Sequence, residues 1–298
     1  DKGRYNFEYL NSDSRLKTPL KMMDNELVEI EIQDIYSELT EFIKDRQTKV
    51  NFLLGSNLTN EDYVAFREFS KTISQSESSF YLNDDLLYKG FFGDNIELAK
   101  INDLNSSDAI VVWAEDLKEK LPVLYLRIRQ AVKNGVKLVV FGHTNETLSD
   151  IADVFYGKDM VSENFEILKD LSKMKEINNL VVGKNITAIL GKSTPYQADE
   201  SITKLFEFLN SNANSKVLNA YSKGNTYGAF QTLENLKGLN DFVNDISKDN
   251  TDLLFIVGAD PIGRSVYSNQ IKSIIKSIDT VVTLDNFNHE TSELSDYV

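Results

Sequence analysis

Apolar positions in this chain follow two rhythms. In one, they recur every three or four residues. Over 32–46, IQDIYSELTEFIKDR, residues Ile32, Ile35/Tyr36, Leu39 and Phe42/Ile43 fall on a single helical face. In the other, they run on without alternation for a strand's length, as in Ala109–Ala114, Leu138–Phe141 and Leu253–Val257. Such runs predict strands covered on both faces. KVNFLLGS (49–56) is one of these, and Thr59 or Asn60 can cap the helix after it, which carries acidic residues in its first turn. Residues 74–105 are polar and punctuated by glycine, and predict a long loop with short helical pieces.

The clearest unit spans 108–142. DAIVVWAED predicts a strand. LPVLYLRIRQAVKNG predicts a helix with Pro122 near its start, Gly135 just past its end, and Leu121, Leu124, Ile128 and Val132 on one face. VKLVVFG is the next strand, and the connection is long enough for a right-handed crossover between parallel strands. The pattern recurs: NITAILGKS before DESITKLFEFLNS, TDLLFIVGADP before VYSNQIKSIIKSI, then DTVVTLDNF. About eight strands alternating with helices predict an α/β fold with mainly parallel sheets, either one large sheet or two Rossmann-like ones. No internal repeat is evident, which argues against a solenoid.

Composition narrows the chemistry. The net charge of −14 argues against nucleic-acid binding. No apolar run is long enough to insert in a membrane. The 298 residues contain no cysteine, which excludes disulfides and thiolate ligands within them. The two histidines, His143 and His289, lie far apart in sequence, against a His-rich metal site.

Individual motifs fall short. GKS at 191–193 stands between a strand and a helix, but a phosphate-binding loop needs glycine where Ile186 stands. HETSE at 289–293 has Glu293 where a zinc-protease helix needs its second ligand. GADPIG (258–263) lacks the middle glycine of a dinucleotide fingerprint, yet it can form a close-approach turn where open α/β sheets bind ligands. FGHTN (141–145) holds the matching place in the other unit, and its His143 reads either as a ligand contact or as a loop residue. The aromatics of RYNFEYL, and Trp113, read as packing residues.

Several segments in series resemble one family. DKGRYNFEYLNSDSRLKTPL is similar to the stretch that follows the last cluster cysteine in the large iron–sulfur subunit of respiratory NADH:quinone oxidoreductase (complex I). That family commonly has Cys before Asp-Lys-Gly-Arg and then Leu-Thr-x-Pro-Leu, to which LKTPL is a loose match. PVLYLRIR, LLFIVGADPIGR and the closing ETSELSDYV resemble later family segments in the right order.

The resemblance implies a fragment that begins just after the last cluster ligand, with the iron–sulfur clusters held upstream and no cofactor in the chain itself. It implies the two Rossmann-like three-layer domains of molybdopterin oxidoreductases of the formate dehydrogenase type. Residues 1–46 would be a lead-in, 47–105 plus 184–298 a discontinuous domain, and 106–183 an inserted one. The expected role is a scaffold, without catalytic or metal-ligating residues, on the cytoplasmic side of the bacterial inner membrane. The expected partners are other peripheral-arm subunits of complex I.

The alternative is a fragment of an active molybdopterin enzyme. Its pterin dinucleotide would meet the strand-end loops at Glu115, Asp116, His143, Thr144, Gly224, Asn225, Gly258 and Asp260. A metal ligand would come from Ser74, Ser76, Ser78, Ser79, Asp84 or Asp85. A third reading is a free-standing small-ligand module with two Rossmann-like lobes.

Overall fold

The computed structural model describes residues 7–44, 48–73, 78–84, 97–114, 117–144, 146–158, 171–191, 207–211, 213–221, 223–263 and 265–298. The strands are β1 (Leu20–Met23), β2 (Glu26–Glu29), β3 (Val50–Leu54), β4 (Phe80–Leu82), β5 (Glu97–Leu98), β6 (Ala109–Trp113), β7 (Lys137–His143), β8 (Val154–Lys158), β9 (Asn185–Gly191), β10 (Asn214–Ala220), β11 (Leu253–Val257) and β12 (Thr280–Leu284). The main helices are α1 (Ile32–Lys44), α2 (Asn60–Ile73), α3 (Leu117–Lys120), α4 (Pro122–Lys133), α5 (Leu171–Val181), α6 (Thr226–Thr232), α7 (Leu239–Asp245) and α8 (Ser268–Ile275). The chain divides into two compact units, Asp1–Leu86 with Lys223–Val298, and Leu87–Ser222.

The first unit is built on a parallel sheet in the order β12-β11-β3-β4. Every residue of β3 and β11 is buried, as continuous apolar runs require when helices cover both faces. One face packs Phe52, Phe80 and Phe255 against Tyr63 of α2 and Ala229 of α6. The other packs Leu53 and Ile256 against Phe242 of α7 and Ile271 of α8. Thr59 and Asp62 cap α2 reciprocally: the Asp62 amide donates to Thr59 Oγ1 (3.2 Å) and the Thr59 amide to Asp62 Oδ2 (2.9 Å).

Residues 7–44 belong to this unit and are not a separate lead-in. β1 and β2 form a hairpin whose turn residues, Asp24 and Asn25, both have positive φ (52° and 67°). The Leu20 amide donates to the Val298 carbonyl (2.8 Å) and the Val298 amide returns the bond (2.9 Å). Tyr297 in turn bridges to Val282, next to the sheet. Pairing over such sequence distances leaves no local signature.

The second unit holds a six-stranded sheet in the order β5-β10-β9-β6-β7-β8. Its five longer strands, read from β8 to β10, have the doubly wound order 3-2-1-4-5, with β5 added parallel at the edge. α4 starts at Pro122 and ends before Gly135, whose φ of +100° suits glycine. Leu124 and Ile128 are buried as predicted, while Leu121 and Val132 pack partly buried beside them.

The inserted unit is larger than the 106–183 expected from sequence. β9 pairs with β6 and β10 pairs with β9, so residues beyond 184 complete this sheet and not the other. Asp108 fixes the junction, its Oδ2 accepting the Asn185 amide at 2.9 Å. Strand runs can be read locally, but the neighbour each one chooses cannot.

Candidate functional site

In the first unit β3, β4, β11 and β12 all run parallel, so their C-terminal ends share one edge. Chain order reverses between β3 and β11, which makes their ends the topological switch point, where open α/β sheets bind ligands. Two glycines meet there. The Gly55 amide donates to the Val257 carbonyl (2.7 Å), and a Cβ on Gly55 would fall on the Gly258 carbonyl oxygen. Gly258 has φ +59°, and a Cβ on it would lie 2.8 Å from Leu58 Cδ2.

The 223–226 segment crosses this edge. The Asn225 amide donates to the Ser56 carbonyl (2.7 Å), the Gly224 amide to Asn57 Oδ1 (3.2 Å), and Asn225 Nδ2 to the Leu58 carbonyl (2.8 Å) and Asn60 Oδ1 (3.0 Å). Thr226 Oγ1 donates to Asp84 Oδ2 (3.0 Å), which brings the end of β4 into the same place. Ser56 is buried, and its hydroxyl has no hydrogen-bond partner among the described residues. Tyr63 donates its hydroxyl to the Gly55 carbonyl (2.8 Å), and burial raises its pKa, helped by the Asp62 and Asp84 charges.

Asp260 tightens the 258–263 turn, its Oδ1 accepting from the Gly263 amide (3.1 Å) and Thr291 Oγ1 (2.7 Å). His289 lies between two carboxylates. Its Nδ1 is 3.5 Å from Asp260 Oδ1 and accepts from the Ser292 amide (3.3 Å). Its Nε2 is 3.4 Å from Asp285 Oδ2, a contact off the line of a hydrogen bond. Burial pushes the Asp285 carboxyl up, but His289 and the Asn286 and Phe287 amides more than offset it and hold the group below its usual value.

In the second unit the switch point lies between β6 and β9. A Cβ on Gly191 would come within 2.6 Å of the Ala114 Cβ, so small residues again let the strand ends approach. His143 and Thr144 stand at the end of β7, with Thr144 Oγ1 3.4 Å from His143 Nδ1. Glu146 is buried behind them, its amide donating to the His143 carbonyl (2.9 Å). Glu115, Asp116, Lys192 and Ser193 lie outside the described residues.

Gly224, Asn225, Gly258 and Asp260 therefore share one sheet edge in the first unit, while His143 and Thr144 belong to the equivalent edge of the second. Of the candidate metal ligands, Ser74, Ser76 and Asp85 lie outside the described residues. Ser78 and Ser79 precede β4 and sit at the opposite end of the sheet, the Ser79 amide donating to Asn51 Oδ1 (2.9 Å). Asp84 lies at the strand C-terminal edge, beside Thr226. Among the described residues no group of three or more His, Asp or Glu could hold a metal. Sequence reasoning missed Ser56, Asn57 and Thr226. Gly55-Ser56-Asn57 directly after an apolar strand mirrors Gly258-Ala259-Asp260 after β11, and was the available signal.

Each unit is an open, mainly parallel α/β sheet with a topological switch point at its strand C-terminal edge, the place where sheets of this class bind ligands. The model of the molybdopterin oxidoreductase family matches residues 15–298, and the chain belongs to that family. It is 26% identical over 191 residues to the F420-dependent formate dehydrogenase 1 subunit alpha of Methanococcus maripaludis, covering 60% of this chain and 28% of that protein. It is 22% identical over 160 residues to the F420-dependent formate dehydrogenase subunit alpha of Methanocaldococcus jannaschii, covering 52% and 24%. The chain thus spans about a quarter of the length of these curated relatives. In fold it resembles acetylene hydratase from Pelobacter acetylenicus, with a TM-score of 0.58 and 11% identity over 97% of this chain and 55% of that one.

The family match corrects the expectation that the chain carries no cofactor, because the family is that of the molybdopterin oxidoreductases. The first unit's edge fits such a group. Gly55 and Gly258 let the β3 and β11 ends and Leu58 pack closely at this edge, and the Ser56 hydroxyl is buried without a hydrogen-bond partner among the described residues. The relatives reported above are named as formate dehydrogenase subunits, not as complex I subunits.

Proposed function

We propose that this chain is the cofactor-cradling region of a formate-dehydrogenase-type molybdopterin oxidoreductase. The family match over 15–298 carries this reading, supported by the topological switch point where the β3 and β11 ends meet at Gly55 and Gly258. Ser56, Asn57, Gly224 and Asn225 would bind polar groups of a pterin dinucleotide, and Asp260 would hold the 258–263 turn in shape beneath it. In the second unit, His143 and Thr144 at the equivalent strand-end edge would contact a pterin in the same way. When bound, the group supplies the two-electron redox centre. The protein's own residues bind and orient it and exclude water from the crevice.

The test is elemental analysis of the intact protein for molybdenum and tungsten, with fluorescence of the extracted, oxidised pterin and formate-dependent reduction of a viologen dye. About one metal and two pterins per chain with formate-driven reduction is the expected result. Protein that holds neither metal nor pterin after expression in a cofactor-producing host overturns it. A second reading places the chain in the large iron–sulfur subunit of complex I, with peripheral-arm partners. The ordered motifs DKGR, PVLYLRIR and LLFIVGADP favour it. NADH-driven quinone reduction by the purified assembly, without formate oxidation, separates the two.

A further inference from the structure

The 258–263 turn after β11 keeps its side chains inward. Gly258 and Gly263 are exposed, Ala259, Pro261 and Ile262 are buried, and Asp260 is half-buried. What a ligand meets there is largely backbone, so the path of that backbone decides what the turn can bind. Thr291, 31 positions beyond Asp260 and fully buried, reaches back to it. Its one hydroxyl serves the turn twice. Oγ1 donates to Asp260 Oδ1 (2.7 Å) and accepts from the Ile262 amide (3.4 Å). Asp260 Oδ1 also accepts from the Gly263 amide (3.1 Å), and a Cβ on Gly263 would come within 2.2 Å of Asp260 Oδ2. The carboxylate is therefore folded into its own turn, unlike the acid that reaches out to a ribose hydroxyl in a dinucleotide fold.

Thr291 is itself held from the sheet. Its carbonyl accepts from Ser295 Oγ (3.0 Å), and Ser295 Oγ lies 2.7 Å from Thr283 Oγ1 on β12. With the Ser295 hydrogen on that carbonyl, Thr283 is the donor between the two hydroxyls. Thr283, Thr291 and Ser295 are at most 1% exposed. A buried polar path thus runs from β12 through Ser295 and Thr291 to Asp260 and the Ile262 amide. Apolar side chains of the same shape would fill this space at little cost in stability. What satisfied hydroxyls add is a single arrangement of the groups they join.

We infer that Thr291 is a positioning residue: through Asp260 and the Ile262 amide it sets the path of the 258–263 turn on which the ligand is received. The ligand's identity rests on the pterin reading above; the path of the turn does not. Three variants of the intact protein test it. Thr291→Val keeps the shape and removes the hydroxyl, Thr291→Ser keeps the hydroxyl, and Asp260→Ala removes the other end of the bond. The first measurement is amide hydrogen exchange over 258–263, with β3 as the internal control. Thr291→Val should speed exchange in the turn about tenfold and leave β3 unchanged. Thr291→Ser should restore the wild-type rate. Asp260→Ala should match Thr291→Val, and the double variant should add little, because both residues act through one bond. Additive effects, equal acceleration at β3, or a turn as protected in Thr291→Val as in wild type overturns the proposal. If Thr291→Val does not fold, the pair Asp260→Ala and Thr291→Ser decides, and faster exchange in the first alone is required. The second measurement is pterin fluorescence per chain after expression in a cofactor-producing host. Thr291→Val should lose most of the pterin and Thr291→Ser should keep it. Faster exchange with pterin content unchanged also overturns the proposal. Wild-type protein without pterin overturns the pterin reading instead, and the exchange rates still decide whether Thr291 sets the turn.

Discussion

At the scale of the residue, the candidate site is made by side chains that are absent as much as by those present. Gly55 faces rigid backbone, the carbonyl of Gly258, whereas Gly258 faces the flexible end of Leu58 but has a left-handed φ. Gly258→Ala should therefore cost about 1–2 kcal/mol from backbone conformation. Gly55→Ala should cost about 3 kcal/mol, since neither partner can rotate away. Urea unfolding of both variants orders them, and a smaller loss at Gly55 would mean that the β3 and β11 ends are free to part. Asp285 gives a prediction with a pH sign. Its carboxyl titrates lower in the folded protein than in the unfolded chain, so its contribution is present above the unfolded value near 3.9 and is lost as pH falls through the folded value. Asp285→Asn should cost about 1 kcal/mol at neutral pH, and the gap to wild type should close on acidification below about pH 4. A gap constant with pH would remove His289 and the two amides as its cause. Of these residues, Gly258 and Asp260 were legible in the sequence because they follow a strong apolar run. Ser56 and Thr226 were not, because one looks like a strand's last residue and the other depends on a contact with Asp84 far away in the chain.

At the scale of the element, local signals gave borders well and partners poorly. Pro122 and Gly135 bracket α4, and Thr59 caps α2, all as the residue types require. The hairpin of β1 and β2 escaped notice although Asp24-Asn25 is a fitting turn pair, because its short strands are half exposed and show no clean alternation. The return of the chain from one sheet to the other was misplaced because β9 and β11 are both buried strands followed by a glycine-bearing turn, and only pairing tells which sheet each joins. What fastens β3 between its neighbours is a stack of rings. Phe52 lies 5.1 Å from Phe80 on β4 and 5.3 Å from Phe255 on β11, both nearly parallel to it. Phe52→Ala should cost about 3–5 kcal/mol, against about 1 kcal/mol for Thr59→Ala at the α2 cap. Chemical denaturation of the two variants tests the ranking, and comparable losses would show that the ring stack adds little beyond the cap.

At the scale of the whole molecule, each unit has what a domain needs: its own sheet, helices on that sheet's faces, and its own buried clusters. The single tryptophan makes this testable. Trp113 is fully buried in the second unit, 5.2 Å from Phe141, so its fluorescence reports that unit alone. Phe52 is buried in the first unit and belongs to a different cluster. If each core stabilises its own unit, Phe52→Ala should lower the urea midpoint of part of the far-ultraviolet dichroism and leave the Trp113 fluorescence midpoint in place. A Val111→Ala substitution, beneath Trp113 on β6, should do the reverse. A common shift of both signals in either variant would mean that the two units unfold as one. A ligand held at one unit's strand-end edge would then be binding a single cooperative body, and its stabilisation should appear in both signals together. With independent units, the same ligand would raise each midpoint according to the contacts it makes there. Gly55→Ala, which forces the β3 and β11 ends apart, should then abolish only the gain seen in the first unit.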